Sequence, residues 1–322
     1  MNISHLVFMY VVEESSISKA AQRAFITQQC ASDHIKRLEM QYGTKLFYRK
    51  PRFTPTPAGQ VLLQTLNQMK LLEKNLDQRL NEIKQGTTGH IHFGITAPRA
   101  HLILPGFLKR YNQLLPHVKV SIISSDTRSL EQHFVKGDID LFVGVNTKDI
   151  PNARPSVLAR DQIFFLATQE LLSRFETTPE LIQDSIQRDA FFSSITWLPI
   201  ARNTNDSAFS QLISQYLEYH HASLYSPFHT NDYDMQIDLC ISGVSAAFCP
   251  TLMLKKVIAL NKTLAPQNRI LIFPLIHIPQ HLRFELVTWN NMHDIAYTAS
   301  FIELFKEEVT RCYESIREEV GP

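Results

Sequence analysis

Apolar side chains at Ile3, Leu6, Val7, Tyr10 and Val11 recur at helical spacing and predict an amphipathic helix at the start of the chain. Ser16 and Ser18 offer N-caps for a second, short helix, in which Ala20-Ala21 leaves room for another helix to pack close. Phe25-Ile26 is apolar at a bend, and Thr27 caps a third helix from Gln28 to Met40. There Ala31, Ile35 and Leu38 face inward, while Gln28, Gln29, Ser32, Asp33, Lys36 and Arg37 fall on or near the opposite face. Gly43 ends that helix, and KLFYRKPRFTPTPAGQ (45–60) reads as a short hairpin with a basic tip, a wing.

A second pattern follows. Thr56-Pro57 is a cap with proline at the first helical position, and no proline or glycine stands between Gly59 and Gly86. Leu62, Leu66, Met69, Leu72, Leu76, Leu80 and Ile83 form a stripe with a mean step of 3.5 residues, a coiled-coil period. One helix packed on its own domain would also fit. A helix this long, polar on its other faces, more naturally buries the stripe against a second copy of the chain.

From residue 88 the pattern changes again. Ile91, Phe93 and Ile95 alternate as a strand, and LILPGFLKRYNQLLPHVKVSII and LEQHFVKGDIDLFVGV each read as a helix followed by a strand. Strands alternating with helices predict a parallel α/β sheet.

Charge sharpens the division. The 322 residues carry a formal net charge of +1, but residues 1–86 hold 12 Lys and Arg against 7 Asp and Glu, a net of +5 that leaves −4 for the rest. Between Ser16 and Thr56 there are eight basic and two acidic residues. A basic head on a mildly acidic body suits a nucleic-acid-facing end. Gln and Ser at the start of a recognition helix suit base edges, and Lys or Arg suit phosphates. The candidate DNA-binding set is Ser18, Thr27, Gln28, Gln29, Ser32, Lys36, Arg49 and Arg52. On composition alone, an ordinary helical hairpin with a solvated polar face fits the first 40 residues equally well; the adjoining basic wing favours DNA.

The head resembles the winged helix-turn-helix of the LysR-type transcriptional regulators. Ser16, Ala20-Ala21, Gln28, Ser32, IKRLE at 35–39, Gly43, KLFYR at 45–49, Thr56 and Ala58-Gly59 carry the resemblance. Two positions depart from it: Ala24 stands where the family usually has Leu, and Asp33 where Arg is common. An acid facing phosphate is unfavourable, so Asp33 either reads a cytosine amino group or weakens binding. LPGFLKRYNQLLPHVKV, KGDIDLFVG and DLCISGVSAAFCP (238–250) are similar to the family's effector domain, by pattern more than identity.

The resemblance implies an all-α winged helix-turn-helix at 1–58, a linker and dimerisation helix at 59–87 paired antiparallel with a second copy, and a periplasmic-binding-protein-like α/β domain at 88–322. That domain has two subdomains, the first at 88–164 and 270–322, the second at 165–269, with the chain crossing near Phe164 and near Ile270. It further implies a homodimer or homotetramer on a two-fold symmetric operator in double-stranded DNA, a small-molecule effector, and an encounter with RNA polymerase.

Ligands in such folds sit beyond the carboxyl ends of strands. Those ends offer Thr96, Arg99, Ser125 and Asn146 in the first subdomain, and Arg202, Asn203, Thr204, Thr230 and Asn231 in the second. Hydroxyls, amides and two arginines near helix N-termini suit a small anionic ligand. Each residue taken singly reads as well as a helix cap or turn.

Other chemistry is weakly signalled. Cys30, Cys240, Cys249 and Cys312 form no CxxC or zinc spacing, and reduced, buried thiols are the expectation. His90 and His92 share a strand face without accompanying acids or cysteines, which argues against a metal site. No nucleophile elbow, P-loop or GxGxxG occurs, so neither an enzyme nor a cofactor is expected. MNISHLVFMYVVEE lacks a basic start, and no apolar run reaches membrane-spanning length, so a cytoplasmic location is expected. Two rivals remain: a DNA-binding repressor that needs no ligand, and a solute-binding receptor with no DNA role.

Overall fold

The computed structural model describes residues 2–48, 53–85, 88–203, 207–276, 278, 282–290 and 292–320, without the side chains of 78, 79 and 81–85. It divides into two compact units, one of residues 1–89 with 132–140, the other of residues 90–131 with 141–322. None of the described helices is long and apolar enough to cross a membrane.

The first unit opens with α1 (Ile3–Glu14), α2 (Ile17–Arg23) and α3 (Gln28–Gln41), capped by Asn2, Ser16 and Thr27, whose side chains accept from His5 N, Lys19 N and Cys30 N. The buried face of α1 differs from the expected one. Val7, Phe8, Met9 and Val11 are buried, while Ile3 stays 45% exposed. The cause is enclosure from several sides: α1 packs on both α2 and α3, and the Phe8 ring meets Phe47 of the wing at 5.1 Å. Ala20 and Ala21 are buried, as close helix packing requires.

The wing pairs β1 (Phe47–Tyr48) with β2 (Thr54–Pro55), antiparallel. Its root is fixed to α3 by Glu39, buried at 6%, whose two oxygens accept from Leu46 N at 3.0 Å and Lys45 Nζ at 3.0 Å. Thr56 donates to Lys45 O at 2.7 Å and accepts from Gly59 N at 3.1 Å, starting α4 (Pro57–Gln85). A Cβ on Gly59 would collide with the Leu46 carbonyl oxygen, so only glycine lets α4 pass the wing.

Along α4 the stripe divides. Leu62 and Leu66 are buried in the head's own core, whereas Met69, Leu72, Leu76 and Leu80 are 38–56% exposed. Ile83 lies outside the described side chains. Another face of α4 is buried at Asn67, Leu71 and Asn75, and Lys74 Nζ meets buried Asp140 at 2.8 Å.

The second unit holds two five-stranded sheets. The first contains β3 (Gly89–Ile95), β4 (Val118–Ser124), β5 (Leu141–Val145), β6 (Ala153–Asp161) and β12 (Leu282–Trp289), ordered β4-β3-β5-β12-β6. The second contains β7 (Ile163–Thr168), β8 (Ile200–Arg202), β9 (Phe228–His229), β10 (Ala246–Pro250) and β11 (Ile270–Pro274), ordered β11-β7-β10-β8-β9. The parallel pairs β3–β5, β8–β9 and β8–β10 form as expected, but β12 runs antiparallel to β5 and β6, and β7 antiparallel to β10 and β11.

The helices are α5 (Ala97–Leu114), α6 (Thr127–Lys136), α7 (Gln169–Arg174), α8 (Pro179–Gln187), α9 (Phe191–Ser194), α10 (Ala208–Tyr219), α11 (Tyr233–Ile241), α12 (Leu254–Asn261) and α13 (Ala296–Val320). Phe93, Phe107, Phe301 and Phe305 stack the first core between β3, α5 and α13. Phe165, Phe191, Phe192 and Phe248 anchor the second.

The chain passes from the first sheet to the second at Gln162, between β6 and β7. It returns between Pro274 and Leu282, later than the expected point at Ile270. The reason is register: Ile270 to Pro274 pair antiparallel with Thr168 to Phe164, so this strand completes the second sheet before the chain leaves it.

Candidate functional site

The head presents one continuous polar face. Gln28, Gln29, Cys30, Asp33, Lys36, Arg37 and Met40 are exposed on α3, and Ser32 is half-buried. Thr27 caps the helix through Cys30 N at 3.2 Å. Ser18 Oγ donates to Gln28 Oε1 at 3.0 Å, tying the start of α2 to the start of α3. Lys36 Nζ lies 3.5 Å from Asp33 Oδ1. Thr27, Gln29, Cys30, Asp33, His34 and Arg37 line a shallow surface groove along this face. Arg49 and Arg52, expected at the wing tip, lie outside the described residues.

Beneath this face His34 Nδ1 meets Ser4 Oγ at 2.9 Å, which fixes α3 to α1 from within. The turn before α3 holds Phe25 at φ +55°, a left-handed conformation, with its side chain 96% exposed.

In the second unit, buried polar groups gather where the two sheets meet. Thr96 precedes α5 and makes no side-chain cap; its hydroxyl oxygen is buried with no partner among the described residues. One turn on, Arg99 is 7% exposed, donates from Nη2 to Asp161 Oδ2 at 2.8 Å and lies 4.9 Å from the Phe284 ring centre. Its Nε has no partner among the described residues. Tyr313 of α13 donates to the other oxygen of Asp161 at 2.6 Å. Burial acts to lower the Arg99 pKa, and the Asp161 charge reverses that and raises it. Tyr233, first residue of α11, is held un-ionised by burial and feels both Arg99 and Asp161; the Asn203 side chain is within hydrogen-bonding reach of it.

The second sheet contributes a recess lined by Arg202, Asn203, Phe209, Ser210, Gln236 and Phe248. Arg202 Nη2 donates to Ser214 Oγ at 3.2 Å. Thr230 N donates to Arg202 O at 3.0 Å, its hydroxyl accepts from Asp232 N at 3.1 Å, and its carbonyl accepts from buried Gln236. Arg99 and Asn203 thus both act on Tyr233, Thr96 stands one turn before Arg99, and Thr230 adjoins Arg202 through its backbone.

Other expected positions are engaged elsewhere. Asn146, at φ +49°, exchanges two hydrogen bonds with the Arg283 backbone, each 2.9 Å, and so closes the end of β5 onto β12. Ser125 is half-buried in the loop before α6, and Asn231 is exposed before α11. Thr204 lies outside the described residues. Asp161, Tyr233, Tyr313 and Gln236 were not legible as site residues. Asp161 stands 62 residues from Arg99 and 152 from Tyr313, and nothing local in the sequence marks such pairs.

Cys240, Cys249 and Cys312 are buried as expected, whereas Cys30 is exposed on α3, and Cys240 and Cys249 are ill-suited to redox chemistry in this state. Burial pushes the Cys240 thiol up to about 12 and the Cys249 thiol well above its usual range, which suppresses the reactive thiolate.

A winged helix-turn-helix joined by a long helix to a body of two crossed α/β sheets defines a class of protein that couples a DNA-reading head to a ligand crevice. Comparison with known families places the chain within that class. The model of bacterial regulatory helix-turn-helix proteins of the lysR family matches residues 5–60, and the LysR substrate binding domain matches residues 84–310. The chain belongs to the LysR family of DNA-binding transcriptional regulators.

The HTH-type transcriptional regulator YcgK of Bacillus subtilis (strain 168) is 31% identical over 134 residues, which span 41% of this chain and 41% of that relative. YkuM of the same organism, another HTH-type regulator, is 23% identical over 268 residues, 81% of this chain and 84% of its own. In fold the chain is similar to the crystal structure of ArgP from Mycobacterium tuberculosis, with a TM-score of 0.63, 17% identity, and coverage of 96% of this chain and 97% of that one.

Proposed function

We propose that the chain acts as a dimeric regulator whose grip on a two-fold symmetric operator is set by a small anionic effector. In this reading Gln28, Gln29 and Ser32 meet base edges, while Ser18, Thr27, Lys36, Arg49 and Arg52 meet the backbone. The exposed stretch of the α4 stripe, Met69 to Leu80, supplies the partner-facing surface. No chemical step belongs to this reading.

The observation that carries the effector reading is the buried polar cluster at the strand ends, which is incompletely satisfied. Thr96 Oγ1 and Arg99 Nε have no described partner, although buried polar groups ordinarily do. The start of α5 is uncapped by a side chain, and in this reading the N–H groups of Ala97 and Arg99 serve the ligand, Pro98 between them having none. Because Asp161 already balances Arg99, the charge offered to an anion comes from Arg202 and this helix N-terminus. A ligand touching Thr96 from one sheet and Asn203 from the other would favour one relative arrangement of the two sheets about their crossings. It shifts that equilibrium only by its differential affinity for the two arrangements.

The test combines footprinting and a ligand screen on the full chain. DNA from upstream of its own gene should give a protected region with two symmetric half-sites, and scrambled DNA of equal length should not. A panel of small carboxylates and phosphates should contain a member that raises the melting temperature and alters the footprint. Specific protection with no member changing it would favour a ligand-independent repressor.

A further inference from the structure

Asp33 is an acid in the middle of the basic head's exposed face, and the structure gives it no task inside the protein. It sits one turn after Gln29 and one turn before Arg37 in the groove of α3. Thr27, not Asp33, caps the helix, and Asp33 lies beyond the first turn, where the helix dipole would reward a negative charge. Its ion pair with Lys36 is long, 3.5 Å, and both side chains are more than half exposed, a geometry that contributes little. Against that small gain stands the repulsion between a carboxylate and a polyanion.

We propose that Asp33 is a specificity residue that selects cytosine by accepting a hydrogen bond from its N4 amino group in the major groove; this rests on the DNA-reading role of α3 given above. The argument runs through the groove's donor pattern. A carboxylate only accepts, and the major groove displays just two kinds of donor, the amino groups of cytosine and adenine. The adenine amino group is flanked by its own N7 and by thymine O4, both acceptors that repel a carboxylate. The cytosine amino group has such a neighbour on one side only, guanine O6, and a carbon on the other. Guanine and thymine present acceptors alone and are rejected. Lys36 lies beside Asp33 in the free protein and turns to a phosphate when the cytosine takes its place. Asp33 lowers affinity for most sequences and recovers it at one, so it acts by rejection as much as by attraction.

The experiment is binding-site selection from a library of random duplexes, using the full chain and the variants Asp33→Ala and Asp33→Asn. The wild type should enrich a motif with cytosine at one symmetric position per half-site, preferred about tenfold or more over the other bases. Asp33→Ala should lose the preference at that position alone and bind unselected duplexes several-fold more tightly. Asp33→Asn should move the preference to adenine, which an amide meets through both N6 and N7. An enriched motif whose every position is untouched in both variants would overturn the proposal. So would a uniform gain in affinity with the motif unchanged, which would make Asp33 a brake and nothing more. A wild type that enriches no motif would remove the DNA-reading role of α3 and this proposal with it.

Discussion

Glu39 holds the wing to the recognition helix, and its role can be measured at one backbone amide. Both of its oxygens are used, on Leu46 N and Lys45 Nζ, and the residue is buried. Replacing Glu39 with Ala strands the Leu46 N–H, which costs about 1–3 kcal/mol. Amide exchange at Leu46 should then accelerate by roughly ten- to a hundredfold, and DNA affinity should fall because the wing loses its anchor. Glu39→Gln, which keeps one acceptor, should recover most of the exchange protection. Full protection in the Ala variant would show that the wing is held by other means. Phe25 poses the opposite case, a residue whose backbone is strained and whose side chain rests on nothing. Left-handed backbone costs a non-glycine residue about 1–2 kcal/mol, and Asn tolerates it better. Phe25→Asn should therefore slow exchange in the peptides covering α2 and α3; faster exchange would mean that the aromatic ring stabilises the turn. Thr27 was legible as a cap from its residue type and place, whereas Glu39 and Gly59 were legible only through the family resemblance. The acceptor and the close approach they supply both face the wing, which is not adjacent in sequence to either residue. The φ of Phe25 was not, because a phenylalanine in a bend predicts no particular turn.

At the scale of elements, α4 shows both the reach and the limit of periodicity. The seven apolar positions were legible as one stripe, and the helix forms over Pro57–Gln85 as their spacing predicts. That the first two belong to the head's core was not legible, since a step of 3.5 and a step of 3.6 differ by too little over two turns to separate one partner from another. The division makes a paired prediction. Leu66 is 1% exposed, so Leu66→Ala should open a cavity in the head, cost about 2–5 kcal/mol and speed amide exchange there without lowering the mass of the proposed dimer. Leu76 is 56% exposed in the single chain, so Leu76→Asp should leave the fold of each chain intact and halve the sedimenting mass. A Leu76→Asp protein that sediments like the wild type would place the dimer contact off this stripe. The crossings between sheets show the same limit. Alternation located the strands, but only the pairing of Ile270–Pro274 with β7 says which sheet the eleventh strand completes.

For the whole molecule, the polar cluster proposed to hold the effector contains residues that hold the body together and residues that would answer a ligand, and the two kinds separate by experiment. Asp161 pairs with Arg99 and also receives Tyr313, so it ties α5, β6 and α13 into one piece. Asp161→Asn leaves a buried guanidinium without its counter-charge, a change that costs about 3–5 kcal/mol. The melting temperature of the body should drop whether or not an effector is present. Asn203 is half-buried at the lip of the recess, within hydrogen-bonding reach of Tyr233 at the start of α11, a helix packed on the same sheet. Asn203→Ala should shift the unliganded melting temperature little. It should instead shrink the rise that an effector produces, because that rise measures RT ln(1 + [L]/Kd). A tenfold loss of affinity removes about 1.4 kcal/mol of it at saturating ligand. The same variant should need correspondingly more effector to change the footprint on DNA, since binding and the arrangement of the two sheets are linked and neither can move without the other. Should Asn203→Ala lose thermal stability as Asp161→Asn does while keeping the full effector-induced rise, Asn203 would belong to the scaffold and the ligand would have to be sought on the Thr96 side alone.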